Sequence, residues 1–171
     1  EEILSAENFR WNGQFLWTLD SNKSELTRFG FASSSDSLLS LEVVSLDEEL
    51  LRALDFVQYD DSTFIIPDYS GDSRFCLVSR QGKLLRKVGN IPTTNEDALE
   101  SARPALAQAW RSFIDYNPHN GILVAATQLG EVLEIYNLKD STHIACIGPN
   151  GEPEFQISQG YGIPTGIMGF S

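Results

Sequence analysis

The chain of 171 residues is short of several things at once: it has two cysteines, two histidines, one methionine and twelve basic side chains. Each shortage excludes something. Twelve Lys and Arg against twenty-four Asp and Glu leave a formal charge of −12. Phosphate-backbone binding needs a surplus of cations to displace counterions, so no nucleic acid is expected as a partner. Cys76 and Cys146 are too few and too far apart for a disulfide framework or a thiolate metal site. No run approaches the roughly 18 apolar residues a membrane-spanning helix needs, so no transmembrane segment is expected. The start, Glu1-Glu2-Ile3, is neither an initiator Met nor a basic, apolar leader, and the native start is expected upstream of it.

What is present points to a packed domain. Hydrophobic residues make up 42% of the chain and 18 aromatics supply bulk, enough to support a core at this charge. Both cysteines lie in apolar runs, Phe75-Cys76-Leu77-Val78 and Ala145-Cys146-Ile147. They read as small buried hydrophobes, with a Cys76–Cys146 bridge as the alternative and the redox compartment open.

The organising feature is a repeat. From Phe56 to Gly89, four short apolar runs are punctuated by Gly, Asp and Ser, and the order recurs from Phe113 to Gly148. Such runs bounded by turn formers are strand signals. Phe56 and Phe113, Tyr59 and Tyr116, and Ile65 and Ile122 are each 57 positions apart, Leu77 and Ile135 58, Gly89 and Gly148 59. Projection places Phe170 at the opening of a further copy. A looser copy runs upstream through Phe9 to Asn12, Gln14 to Asp20, Glu25 to Phe29 and Leu38 to Leu46, with Leu16 matched to Ile65 and Leu26 to Phe75. The expected division is one domain over 1–171 with blade-like repeats at about 1–55, 56–112 and 113–169.

Between repeats, residues 94–111 change to helical spacing, with Ala98, Leu99, Ala102, Ala105, Leu106, Ala109, Trp110 and Phe113 on one stripe. Thr94 is the expected N-cap. Pro104 predicts a kink, or two short helices with the second opening at the proline.

A four-stranded sheet with two apolar faces needs a neighbour on each side, which a ring supplies. Ile65-Ile66 and Ile122 to Ala126 are continuous apolar runs of the kind that sit between two covered faces. The grammar Ile65-Ile66-Pro67-Asp68, Arg74 to Val78 and Gln81-Gly82 to Gly89 resembles NHL-type and TolB-like six-bladed β-propellers, and Gly130 to Leu138 with Gly148 is similar to TolB-like proteins of Bacteroidetes. In the second copy Ala125-Ala126 stand where the strand-ending Asp belongs and Glu131 replaces the Arg. The fold expected is all-β, a partial six-bladed β-propeller of about three blades with a helical insertion around 94–111. Six blades at this period need about 340 residues. The chain is then a fragment of a longer one, or two copies pair as half-propellers.

The candidate chemistry is sparse. His119 lies in the turn Asn117-Pro118-His119-Asn120-Gly121 and His143 precedes a strand, neither with metal-ligand spacing. Asp60, Asp61, Asp68 and Asp72 read as turn formers before a calcium loop, and Asp47-Glu48-Glu49 as a solvated face. Asn150 to Pro153 and Gly160 to Gly166 read as inter-blade connections. Trp17 and Trp110 are expected in the core and Trp11 at the surface. No catalytic, cofactor-binding or metal residue is assigned. The resemblance implies a non-enzymatic binding or scaffold module, holding a protein, small-molecule or glycan ligand at the channel mouth, exported to the periplasm or outer membrane, in some relatives as a lipoprotein. The alternative is a glycan lyase or hydrolase on the same scaffold, which needs carboxylates, His or a metal at that mouth.

Overall fold

The computed structural model describes residues 6–32, 37–158, 161–166 and 169. They form three four-stranded antiparallel sheets, each running in chain order, which we call blades 1 to 3. Blade 1 is β1 (Ala6–Trp11), β2 (Leu16–Asp20), β3 (Glu25–Phe31) and β4 (Leu38–Ser45). Blade 2 is β5 (Val57–Asp60), β6 (Thr63–Pro67), β7 (Phe75–Ser79) and β8 (Leu84–Val88). Blade 3 is β9 (Ser112–Asn117), β10 (Ile122–Thr127), β11 (Val132–Asn137) and β12 (Thr142–Ile147). Two helices, α1 (Glu96–Ser101) and α2 (Arg103–Ala109), lie between blades 2 and 3, and a hairpin, β13 (Glu154–Ser158) and β14 (Tyr161–Thr165), follows blade 3 and packs on α2. The architecture is the partial propeller with a helical insertion that the sequence predicts.

Short polar side chains shape the turns. Asn12 Oδ1 accepts from the amides of Gln14 and Phe15, and Asp60 Oδ1 accepts from the amide and hydroxyl of Ser62. Competing for local amides is what ends a strand and starts a turn. Gly82 has a stricter role. At φ +84, a Cβ there would stand 2.0 Å from the Ser45 carbonyl oxygen, so glycine alone lets the β7–β8 turn dock on the end of β4.

Side chains alternate across each strand, and both sets of blade 2 are buried. Phe64 and Ile66 of β6, with Cys76 and Val78 of β7, pack on Trp17, Leu19, Leu26 and Val44 of blade 1. Ile65 and Phe75, from the same strands, pack on Ile114, Leu123 and Ala125 of blade 3. Blade 2 is sandwiched face to face, and each large side chain so buried contributes roughly 1.5–3 kcal/mol. Trp17 meets Phe64 edge to face at 5.0 Å. Trp17 and Trp110 are fully buried and Trp11 is exposed, as expected.

The repeat register needs correcting by single residues. Phe56 faces blade 1, whereas its 57-residue match Phe113 is 61% exposed and Ile114 is buried against blade 2. The structural equivalent of Phe56 is Ile114. Likewise Ile65 and Trp17 both face the following blade, so Trp17, not Leu16, corresponds to Ile65. A slip of one residue in a period-2 strand exchanges the two faces. Nor do Ala125-Ala126 occupy the place of the strand-ending Asp. Asp68 Oδ2 accepts from the Ser73 amide at 3.1 Å, and Thr127 Oγ1 accepts from the Val132 amide at 3.1 Å, so Thr127 takes that role.

Three further expectations change. Asn95, not Thr94, caps α1 by accepting from the Ala98 amide, because Thr94 is held by the Glu152 carboxylate. Tyr161–Thr165 is a strand and not a connection. Cys76 is buried but Cys146 is exposed, and both are free thiols. Phe170 lies outside the described residues. The helical region does divide into two, with Pro104 in the first turn of α2.

Candidate functional site

The two ends of the blades differ. One carries, among the described residues, the β1–β2 turn and its counterparts β5–β6, β7–β8, β9–β10 and β11–β12. The other carries the β2–β3-type turns, the chain passing from the last strand of one blade to the first of the next, and the helices. At that end the first strands converge, β5 lying against β9. Asp55, just before β5, ties all three blades together. Its carboxylate accepts from Asn8 and Arg10 of β1, from the Phe56 amide, and at 2.8 Å from the Ile114 amide of β9. Arg10 also donates to the carbonyls of Phe56 and Ile114. Burial raises the Asp55 pKa above the usual carboxylate value, although the Ile114 amide and Arg10 pull it down.

Over this end lies a pocket of about 390 Å³, within the small-molecule range of about 300–1,000 Å³. The link between blades 1 and 2 supplies Leu51 and Arg52, the β6–β7 turn Tyr69, α2 Gln108, the start of blade 3 Arg111, and the β10–β11 turn Leu129. The turn carrying Tyr69 sits tightly on α2: a Cβ on Gly71 would stand 2.5 Å from the Arg103 backbone.

Four arginines, Arg52, Arg86, Arg103 and Arg111, have no acidic partner among the described residues, and two of them, Arg52 and Arg111, line this pocket. Arg10 pairs with Asp55, Arg28 and Arg80 with Glu42, and Arg74 with Glu134. Among the described residues, neither Arg52 nor Arg111 has an acidic partner or a side-chain hydrogen bond. Arg111 Nε is buried without a partner, and so is the Tyr69 hydroxyl. Burial drives the Tyr69 pKa up to about 12, against the pull of Arg74 and Arg111 and of a nearby Ser112 amide that falls short of hydrogen-bond geometry. Trp17 Nε1, Arg28 Nε and Trp110 Nε1 are also without a hydrogen-bond partner, but here two such groups belong to residues lining one pocket.

The residues weighed from sequence lie elsewhere. His119 is exposed in its turn, its amide held by Asn117. His143 stacks on Tyr136 at 4.2 Å, with Nε2 4.0 Å from Glu134, a carboxylate already bonded to Arg74 and Tyr136. The rings of Tyr136 and His143 border a second cleft of about 530 Å³ between blades 2 and 3. It is larger, but there the Glu134 carboxylate and the Tyr136 hydroxyl are already bonded to each other, and Glu134 to Arg74 as well. Asp60 and Asp68 cap turns and Asp72 pairs with Lys87. Among the described residues no group of His, Cys, Asp or Glu could hold a metal, and no helix is long and apolar enough to cross a membrane. Sequence reasoning missed Arg52, Tyr69 and Arg111, because lone residues in three separate connections carry no spacing signal.

A model of the TolB-like 6-blade propeller-like family matches residues 1–171. No curated protein sequence matches the chain. Among solved structures it is similar to the hydrazine synthase of Kuenenia stuttgartiensis, with TM-score 0.50 and 11% identity, covering 90% of this chain and 38% of that one. It is also similar to U3-55K, with TM-score 0.53 and 8% identity, covering 90% and 42%. The chain thus spans about two fifths of the length of these structures, and at such identity the likeness is one of fold alone.

Proposed function

We propose that this chain, which belongs to the TolB-like 6-blade propeller-like family, is a non-enzymatic binding module of the bacterial envelope that receives its ligand at the mouth formed by the inter-blade connections. The observation that carries this reading is the pocket bounded by Arg52, Tyr69 and Arg111. It draws on the link between blades 1 and 2, the insert, two turns and β14. Its polar lining is guanidinium, phenol and amide, groups that hold a ligand by hydrogen bonds. Rigid sheets presenting binding loops at one end is the general way such scaffolds acquire function. Export to the periplasm or outer membrane accords with the family and is part of the proposal.

The ring, on this reading, is completed by further blades, from a longer chain or a second copy. The outward faces of the terminal blades support it: Phe9, Trp11 and Phe31 on blade 1, and Phe113 and Ile144 on blade 3, are apolar and exposed.

Amide chemical-shift mapping with a panel of small molecules tests the site. Shifts clustered at Leu51, Gln108 and Leu129 are expected. Shifts confined to the cleft at Tyr136 and His143, or chemical conversion of any compound, would overturn it.

A further inference from the structure

We infer that the mouth pocket takes a small organic carboxylate, its charged end received by Arg111 and Arg52 and its apolar body lying on the pocket's aliphatic wall. This rests on the mouth being the binding site, and adds the chemical class of the ligand. The chain carries −12 overall and repels anions at long range. Even so, two guanidinium groups at one pocket lack an acidic partner among the described residues; Arg86 and Arg103 lack one too, but only here do two such groups line the same pocket, while Arg10, Arg28, Arg74 and Arg80 are each paired. With twice as many acids as bases in the chain, two unpaired guanidinium groups converging on one pocket mark a place where the counter-charge comes from outside.

The state of the atoms agrees. Arg111 Nε and the Tyr69 hydroxyl are both donors, both shut from solvent, and both without an acceptor. Both side chains line the pocket, so a ligand oxygen supplies what each lacks once the donor turns towards it, and a planar fork of N–H donors matches a planar carboxylate. The wall explains why a bare anion is not enough. Leu51, Leu54, Pro104 and Leu129 offer mostly aliphatic surface, which inorganic phosphate would leave uncovered while giving up its own hydration.

Isothermal titration calorimetry of the 171-residue chain with octanoate, octylammonium and inorganic phosphate at one ionic strength tests the inference. Saturable binding of octanoate alone is expected. It should weaken about tenfold or more in Arg111→Gln, the scale of losing one charge-assisted bidentate contact, and recover in part in Arg111→Lys. Arg86→Gln, which removes the same charge at the second cleft, should leave it unchanged. Tyr69→Phe, which keeps the packing and deletes the donor, gives a second reading should Arg111→Gln fail to fold, as its thermal melt will show. Absence of saturable octanoate binding, equal binding of octylammonium or phosphate, or an affinity unmoved by both Arg111→Gln and Tyr69→Phe would overturn the carboxylate. Shift mapping separates the two claims. If octylammonium moves Leu51, Gln108 and Leu129 and octanoate does not, the mouth stands and the carboxylate falls; if no compound moves them, both fall.

Discussion

Arg74 Nε lies 3.0 Å from both carboxylate oxygens of Glu134, a residue of the next blade, and both side chains are buried. The guanidinium also donates to the Trp110 carbonyl at 3.1 Å and the Ser112 hydroxyl at 2.6 Å. Burial opposes the Arg74 charge, Glu134 more than offsets it, and the pKa is raised. One ion pair thereby joins blade 2, blade 3 and the end of the insert. Removing either partner strands a charge, so Arg74→Met or Glu134→Leu alone should cost about 3–5 kcal/mol, while the double variant should recover much of the loss. Urea denaturation of the three variants measures this, and additive losses would contradict it.

Asp55 gives the opposite kind of pH dependence from a typical surface carboxylate. Burial raises its folded pKa, so the folded chain holds the proton more tightly than the unfolded one. The resulting stability is fully present below the unfolded value, about 3.9, and is lost as pH rises through the folded pKa. Relative to Asp55→Asn, the native chain should therefore lose stability as pH rises from about 4 towards neutral. Denaturation midpoints of both proteins across that range decide it, and a native chain that gains stability relative to Asp55→Asn as pH rises would refute the assignment.

The two thiols should separate cleanly by reactivity. Cys76 is buried among blade 1 and blade 2 side chains, and burial pushes its pKa up to about 12, whereas Cys146 is exposed. A thiol reagent should modify one cysteine in the native chain and the second only on unfolding. Cys146→Ser should abolish the fast reaction, and a fast phase that survives it would place Cys76 in a looser core.

Gly82→Ala tests the docking of blade 2 on blade 1. The new Cβ meets the Ser45 carbonyl at a backbone angle L-residues avoid, and a loss of about 2 kcal/mol or more is expected. Gly13→Ala shares the positive φ with nothing within 4 Å of its Cβ, so it should cost less. Equal thermal shifts would show that strain alone, and not the contact, sets the requirement at Gly82.

Closure of the ring is read from mass. Sedimentation of the 171-residue chain at twice its monomer mass, lost in Phe113→Asp or Phe9→Asp, is the expected outcome if two copies cover one another's end faces. A monomer throughout would leave those faces to a longer chain.

The sequence by itself determined the strands, their grouping by fours, the turn-forming aspartates and the split helix at Pro104, because alternation, turn chemistry and the missing proline amide act within a few residues. Its offset of 57 found the right strands but mistook the matching residues by one, placing Phe113 where Ile114 belongs: similarity between short apolar runs does not distinguish the two faces of a strand. Only the tertiary structure decided the faces, the pairing of Arg74 with Glu134, and the meeting of Arg52, Tyr69 and Arg111 at one pocket. Those relations join residues distant in the chain, and they exist only once the blades have stacked and removed water from between them.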